Sequence, residues 1–165
     1  PNQRQEISLT DSNSGDDKVT IIISPNIAIT NQNGVIDYSQ LDAKKDSSLK
    51  NPLTAIISKK QEVTLEAKET RDVPFTVQMP EKEFDGLILG GFYISKKEDA
   101  PKDKDKDKNV QIKNKYSYVI GLQMRENTNE VKPVMELNDV KPTLLNYRTA
   151  ITANLQNTEE TIIKN

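Results

Sequence analysis

From Val73 to Met79 an apolar residue falls at every second position: Val73, Phe75, Val77 and Met79 face one way, while Asp72, Thr76 and Gln78 face the other. A period of two marks a strand with one buried face, because successive side chains of an extended chain point to opposite sides. Pro74 sits on the polar side of this run, which suits an edge strand or a bulge, since proline has no N–H for the ladder. Pro80 ends it.

The same grammar recurs along the chain. Residues 5–10 put Ile7 and Leu9 on one face, and DSNSGDDK at 11–18 reads as a turn. VTIIIS at 19–24 is apolar and β-branched throughout, as a largely buried strand would be. Residues 28–38 contain Asn33-Gly34, a turn pair that tolerates positive φ. A polar loop over 39–52 leads to Pro52, from which a short strand through Leu53, Ala55 and Ile57 is expected. Val63 and Leu65 alternate with polar neighbours. Residues 84–95 (FDGLILGGFYIS) form a second apolar run, interrupted by Gly90-Gly91, where a bulge or a close backbone approach is expected. Residues 116–124 return to alternation, with Tyr116, Tyr118, Ile120, Leu122 and Met124 on one face. Beyond a linker at 128–133, short strands are expected at 134–140 and 147–155. About seven short strands, with no amphipathic helix of useful length, predict an all-β, immunoglobulin-like β-sandwich over residues 1–127, although the pattern alone would also suit a barrel of the same strand count. Residues 134–165 then read as the first strands of a second β domain.

Composition narrows the chemistry. The 165 residues include no cysteine and no histidine, which removes thiol chemistry, most nucleophile–base pairs and most transition-metal sites. Basic and acidic residues number 23 and 25, for a net charge of −2, so there is no electrostatic case for a nucleic-acid partner. No apolar run has membrane length. The Lys-Asp alternation at 102–109 places Asp103, Asp105 and Asp107 at the first three ligand spacings of an EF-hand loop. Lys108 and Asn114 then stand where Gly and a bidentate Glu belong, so a solvated hairpin loop is expected, with no metal and no cofactor. Among the acids, only Asp37 and Asp85 invite inspection for catalysis, and their spacing predicts no carboxylate pair. The chain is therefore expected not to be an enzyme.

For binding, the amides of Asn31 and Asn33 offer donors and acceptors to a sugar or peptide, although such side chains also satisfy their own turns. Gly86, Gly90 and Gly91 would let a ligand or partner strand approach the backbone, although a bulge that bends the strand over the core accounts for them as well. Tyr38 and Tyr93 are the tyrosines expected to be exposed, while Tyr116 and Tyr118, in register with core positions, are expected to be mostly buried.

Four ordered segments carry a family resemblance: PNQRQEISL, AITNQNGVIDYS, VPFTVQMPEKEFDGLILGGFYIS and IKNKYSYVIGLQMRE. They resemble the WxL-interacting protein family of Gram-positive bacteria, and specifically its peptidoglycan-binding domain. The family's Pro-Gly-Gln-like start falls on Pro1, Asn2 and Gln3, with Asn2 where Gly is common. Its Asn-Gly-containing segment falls on 28–38, its Met-Pro to Gly-Gly segment on 79–91, and its Asn-x-Tyr-x-Tyr strand on 114–118. The match runs to about residue 127, without the strand that precedes this proline in the family, and residues 131–165 resemble the opening of the family's host-binding domain. The resemblance implies an extracellular, cell-wall location. Membrane attachment would come only through an anchor that is not part of this chain. The implied partners are peptidoglycan, WxL-domain surface proteins and, through the second domain, host extracellular proteins. Two other readings of the residues stay open: a carboxylate-dependent carbohydrate-active wall domain, and a structural spacer.

Overall fold

A computed structural model describes residues 1–98 and 116–163. The Lys-Asp run at 102–109 and Asn114, on which the calcium and hairpin-loop readings bear, lie outside the described residues. Ten strands and one helical turn are described: β1 (Arg4–Ser12), β2 (Val19–Ile27), β3 (Ile29–Thr30), β4 (Ile36–Asp37), α1 (Leu53–Ile56), β5 (Gln61–Leu65), β6 (Thr70–Gln78), β7 (Ile88–Lys96), β8 (Ser117–Met124), β9 (Met135–Leu145) and β10 (Arg148–Asn157).

All described pairings are antiparallel, and the architecture is the expected all-β one, compatible with an immunoglobulin-like sandwich. One sheet holds β1 and β6; the other runs β5-β2-β7-β8. The alternation read from 73–79 places Val73, Phe75, Val77 and Met79 in the core, where they meet Ile23, Val63, Leu65, Ile88, Phe92 and Ile94 from the larger sheet. Phe75 and Phe92 join the two layers with ring centroids 4.8 Å apart. Burial of each such aromatic contributes about 1.5–3 kcal/mol. Pro74 lies on an edge strand, opposite Ser8 of β1, and its carbonyl accepts a 2.6 Å hydrogen bond from the Gln61 side chain.

Three expectations are corrected. Leu53–Ile56 form a helical turn rather than a strand, and only Ile57 is extended, bridging to Val77. Leu53, Ile56 and Ile57 satisfy a helical i, i+3, i+4 stripe as well as an extended reading, and Leu53 is fully buried while Ala55 faces solvent. The glycine pair makes no bulge either: β7 keeps an unbroken register through Gly90 and Gly91 against both β2 and β8. Finally, Tyr116 and Tyr118 are 75% and 70% exposed. Tyr118 does pair with the buried Ile94, but the opposing sheet has only two strands among the described residues, so β8 extends past its cover.

The hairpin β9–β10 pairs only within itself among the described residues, and most of its apolar side chains are exposed. Its turn residues Asn146 and Tyr147 both adopt positive φ, which puts Tyr147 in the turn and not in the strand.

Candidate functional site

The register of β2, β7 and β8 decides which candidate residues share a surface. Ser24, Tyr93 and Val119 form one row across the sheet, and Asn26, Gly91 and Gly121 the next. Both rows lie on the face opposite the core, since the alternating partners Ile23, Phe92 and Ile94 are buried inside. Tyr38 is laid over this outer face. A Cβ at Gly91 would stand 3.0 Å from the Tyr38 ring, and one at Gly121 would stand 3.4 Å from its hydroxyl. The buried Asn26 fixes the loop by donating a 2.8 Å hydrogen bond to the Tyr38 carbonyl. Tyr38, Gly91 and Tyr93 therefore come together, and both tyrosines are half-buried rather than fully exposed.

Gly90 lies apart from them, on the core face. A Cβ there would stand 2.7 Å from Leu53 Cβ, so the helical turn fills the space beside this glycine. The glycine pair is thus two notches on opposite faces, one holding Leu53 and the other Tyr38.

Asn31 and Asn33 sit in the turn between β3 and β4, on the chain that leads to Tyr38. Asn31 Oδ1 accepts from the Asn33 and Val35 amides at 2.9 and 3.1 Å, so its oxygen is spent on its own turn. Gly34, at φ 74°, closes the turn by donating to the Asn31 carbonyl at 3.0 Å. The Asn33 side chain is exposed beside it.

The two inspected acids are held as carboxylates. Asp37 accepts from the Ser39 amide at 2.8 Å and the Ser39 hydroxyl at 2.7 Å, which lowers its pKa below the usual value. Asp85 is lowered by hydrogen bonds from Asn129 and Asn127, each 2.8 Å. A carboxylate stabilised in its charged form is a poor proton donor at neutral pH. Among the described residues no group of three or more acids could hold a metal ion.

The Asp85 cluster escaped the sequence reading. ENTN at 126–129 reads as a polar linker, and only the fold brings it back to the loop before β7. An Asn-x-Asn pair two positions apart was its one local signal.

Comparison with known proteins bears on residues 1–96, which match the family model described as WxL Interacting Protein, peptidoglycan binding domain. Residues 107–165 match the model described as WxL Interacting Protein, host binding domain. β8 falls inside this second match although it is hydrogen-bonded along β7. Searches of curated proteins and of solved structures found no match. No helix among the described residues is long and apolar enough to cross a membrane. Peptidoglycan binding and host binding both assign the chain to the cell surface or the cell wall. The chain belongs to the WxL-interacting protein family, as a surface protein that binds peptidoglycan and host.

Proposed function

We propose that this chain is a non-catalytic adhesive scaffold that holds peptidoglycan on the outer face of its larger sheet and assembles there with WxL-domain proteins. The observation that carries the reading is the match of residues 1–96 to a peptidoglycan-binding domain, coupled to a sheet face that carries Tyr93 and is overlaid by Tyr38 at Gly91. Tyrosine presents an apolar ring and a polar tip, which suits the mixed surface of a sugar–peptide polymer. The half-buried rings make this surface shallow, in keeping with binding to a long polymer instead of enclosure of a small substrate. Asn33 and the exposed amide turn extend it by hydrogen bonding. The carboxylates of Asp37 and Asp85, both held ionised, favour binding over acid catalysis.

The test is co-sedimentation with purified peptidoglycan, alone and with a WxL-domain protein. Retention in the pellet and a joint peak in size exclusion are expected, with no release of soluble muropeptides. Tyr93→Ala combined with Asn33→Ala should weaken retention by roughly tenfold, the loss of about 1.4 kcal/mol. Absence of retention and of a complex would overturn the scaffold; muropeptide release would replace it with a hydrolase.

A further inference from the structure

Two strands that pair only with each other are marginal in water, and among the described residues β9–β10 also lacks a covered apolar face. The ribbon nevertheless has a defined seat. Its two ends converge on one short loop of the sandwich, residues 83–87.

From the entering side come residues 126–129. The Glu126 carboxylate, 4% exposed, accepts from the Phe84 amide at 3.3 Å. Asn127 Nδ2 donates to the Phe84 carbonyl at 3.3 Å, to Asp85 at 2.8 Å and to Glu83 at 3.2 Å. Asn129 adds a second 2.8 Å bond to Asp85. From the leaving side comes the turn after β10. It is shaped by Asn157, whose Nδ2 donates to the Thr161 carbonyl at 2.7 Å, and by the Thr161 amide, which donates to the Glu159 carbonyl at 2.8 Å. That shape presents the Glu160 carbonyl to the Leu87 amide at 2.7 Å. The Glu160 carboxylate accepts from Asn51 at 3.2 Å, and Gln156 donates to Asp46 at 2.8 Å.

Gly86 is the point of closest approach. Its φ of 99° is a conformation that side chains avoid, and a Cβ there would overlap the Glu160 carbonyl, with Glu160 Cβ at 3.0 Å. Strain and sterics thus demand glycine twice at one position, and the second demand exists only while the Glu160 turn is docked.

We propose that residues 156–161 are a latch, closed over Gly86 and Leu87, which fixes the β9–β10 ribbon of the host-binding region rigidly onto the sandwich. Wall and host attachments then share one body, so a pull on one is transmitted to the other without a hinge. The latch does not depend on which face binds peptidoglycan.

The chain has no cysteine, so labels placed at Lys18→Cys and Lys141→Cys report the distance from sandwich to ribbon cleanly. A narrow spin-label distance distribution is expected in the otherwise unaltered chain. Gly86→Val should broaden it, and so should a chain ending at Thr158, which leaves every strand intact and guards against a folding defect in the valine variant. Hydrogen exchange at the Leu87 amide should accelerate at least about tenfold in the shortened chain, while the Phe92 amide of the core keeps its protection. A broad distribution in the unaltered chain would overturn the latch. So would a narrow distribution, or an unchanged Leu87 amide, in the shortened one.

Discussion

Asp11 sits near the end of β1 with its Oδ2 buried and accepting no hydrogen bond. Its cross-strand neighbour is Arg71, yet that guanidinium is turned to Glu69, whose Oε1 accepts from Arg71 Nε at 2.9 Å. Burial without a partner raises the Asp11 pKa above 3.8. The sign follows from linkage: the folded chain prefers the protonated acid, so the contribution is favourable below the unfolded value and is lost as pH rises through the raised, folded one. Asp11→Asn, which keeps the shape and drops the charge, is expected to raise the urea midpoint at pH 7 and leave it nearly unchanged at pH 3. An equal shift at both pH values would assign the effect to packing instead. Two residues on, Asn13 is the opposite case. It is buried and fully used, donating to the Asp17 and Glu66 carbonyls at 2.8 and 2.9 Å and accepting from Gly15 at 3.0 Å. The string DSNSGDDK announces a turn but not which polar residue is buried, because Glu66 lies far away in sequence and meets Asn13 only in the folded chain.

At the scale of elements, legibility follows the range of the interaction. β2, β6 and β7 were readable because each carries its own burial pattern. α1 was not, since the stretch Leu-Thr-Ala-Ile-Ile after Pro52 suits two periodicities, and the choice is made by the notch that Gly90 leaves for Leu53. The outer-face cluster of Tyr38, Gly91 and Tyr93 was legible as residue types; the partition of Gly90 and Gly91 onto opposite faces needed the strand register. β8 was misjudged for a related reason: its alternation is that of a core strand, whereas cover for Tyr118 depends on how many strands the opposite sheet has. These differences predict different costs. Leu53→Ala empties a filled notch and should destabilise the chain by about 2–5 kcal/mol, whereas Tyr118→Ala, at an exposed position, should stay within about 0.5 kcal/mol. Urea unfolding of the two variants side by side checks the contrast; equal costs would mean that Tyr118 is covered in solution.

At the scale of the whole molecule, the bonds that join ribbon to sandwich are mostly amide donors on carboxylate acceptors, which makes the joint sensitive to acid. Asp46 is lowered by the Ser48 hydroxyl and amide and by Gln156, and Asp85 by Asn129 and Asn127. Asp85 therefore releases its proton more readily when docked, whereas most of the lowering at Asp46 comes from Ser48 in its own loop and only the Gln156 bond belongs to the joint. The Asp85 contribution to the joint is complete above the ordinary value of 3.8 and is lost as pH falls through the lower, docked value. Glu83, Glu126 and Glu160 surround the same seat as further acceptors. Asp11 responds in the opposite direction, so acid removes support from the joint while relieving one strain in the sandwich. Exchange at the Leu87 amide is accordingly expected to outpace exchange at the Phe92 amide as pH is lowered from about 5 to about 3, after correction for the intrinsic pH dependence of exchange. Combining Asn127→Ala with Asn129→Ala should remove the part of this response that belongs to Asp85. Parallel loss of protection at Leu87 and Phe92 would show that acid unfolds the sandwich and ribbon together, and that the joint has no separate acid response.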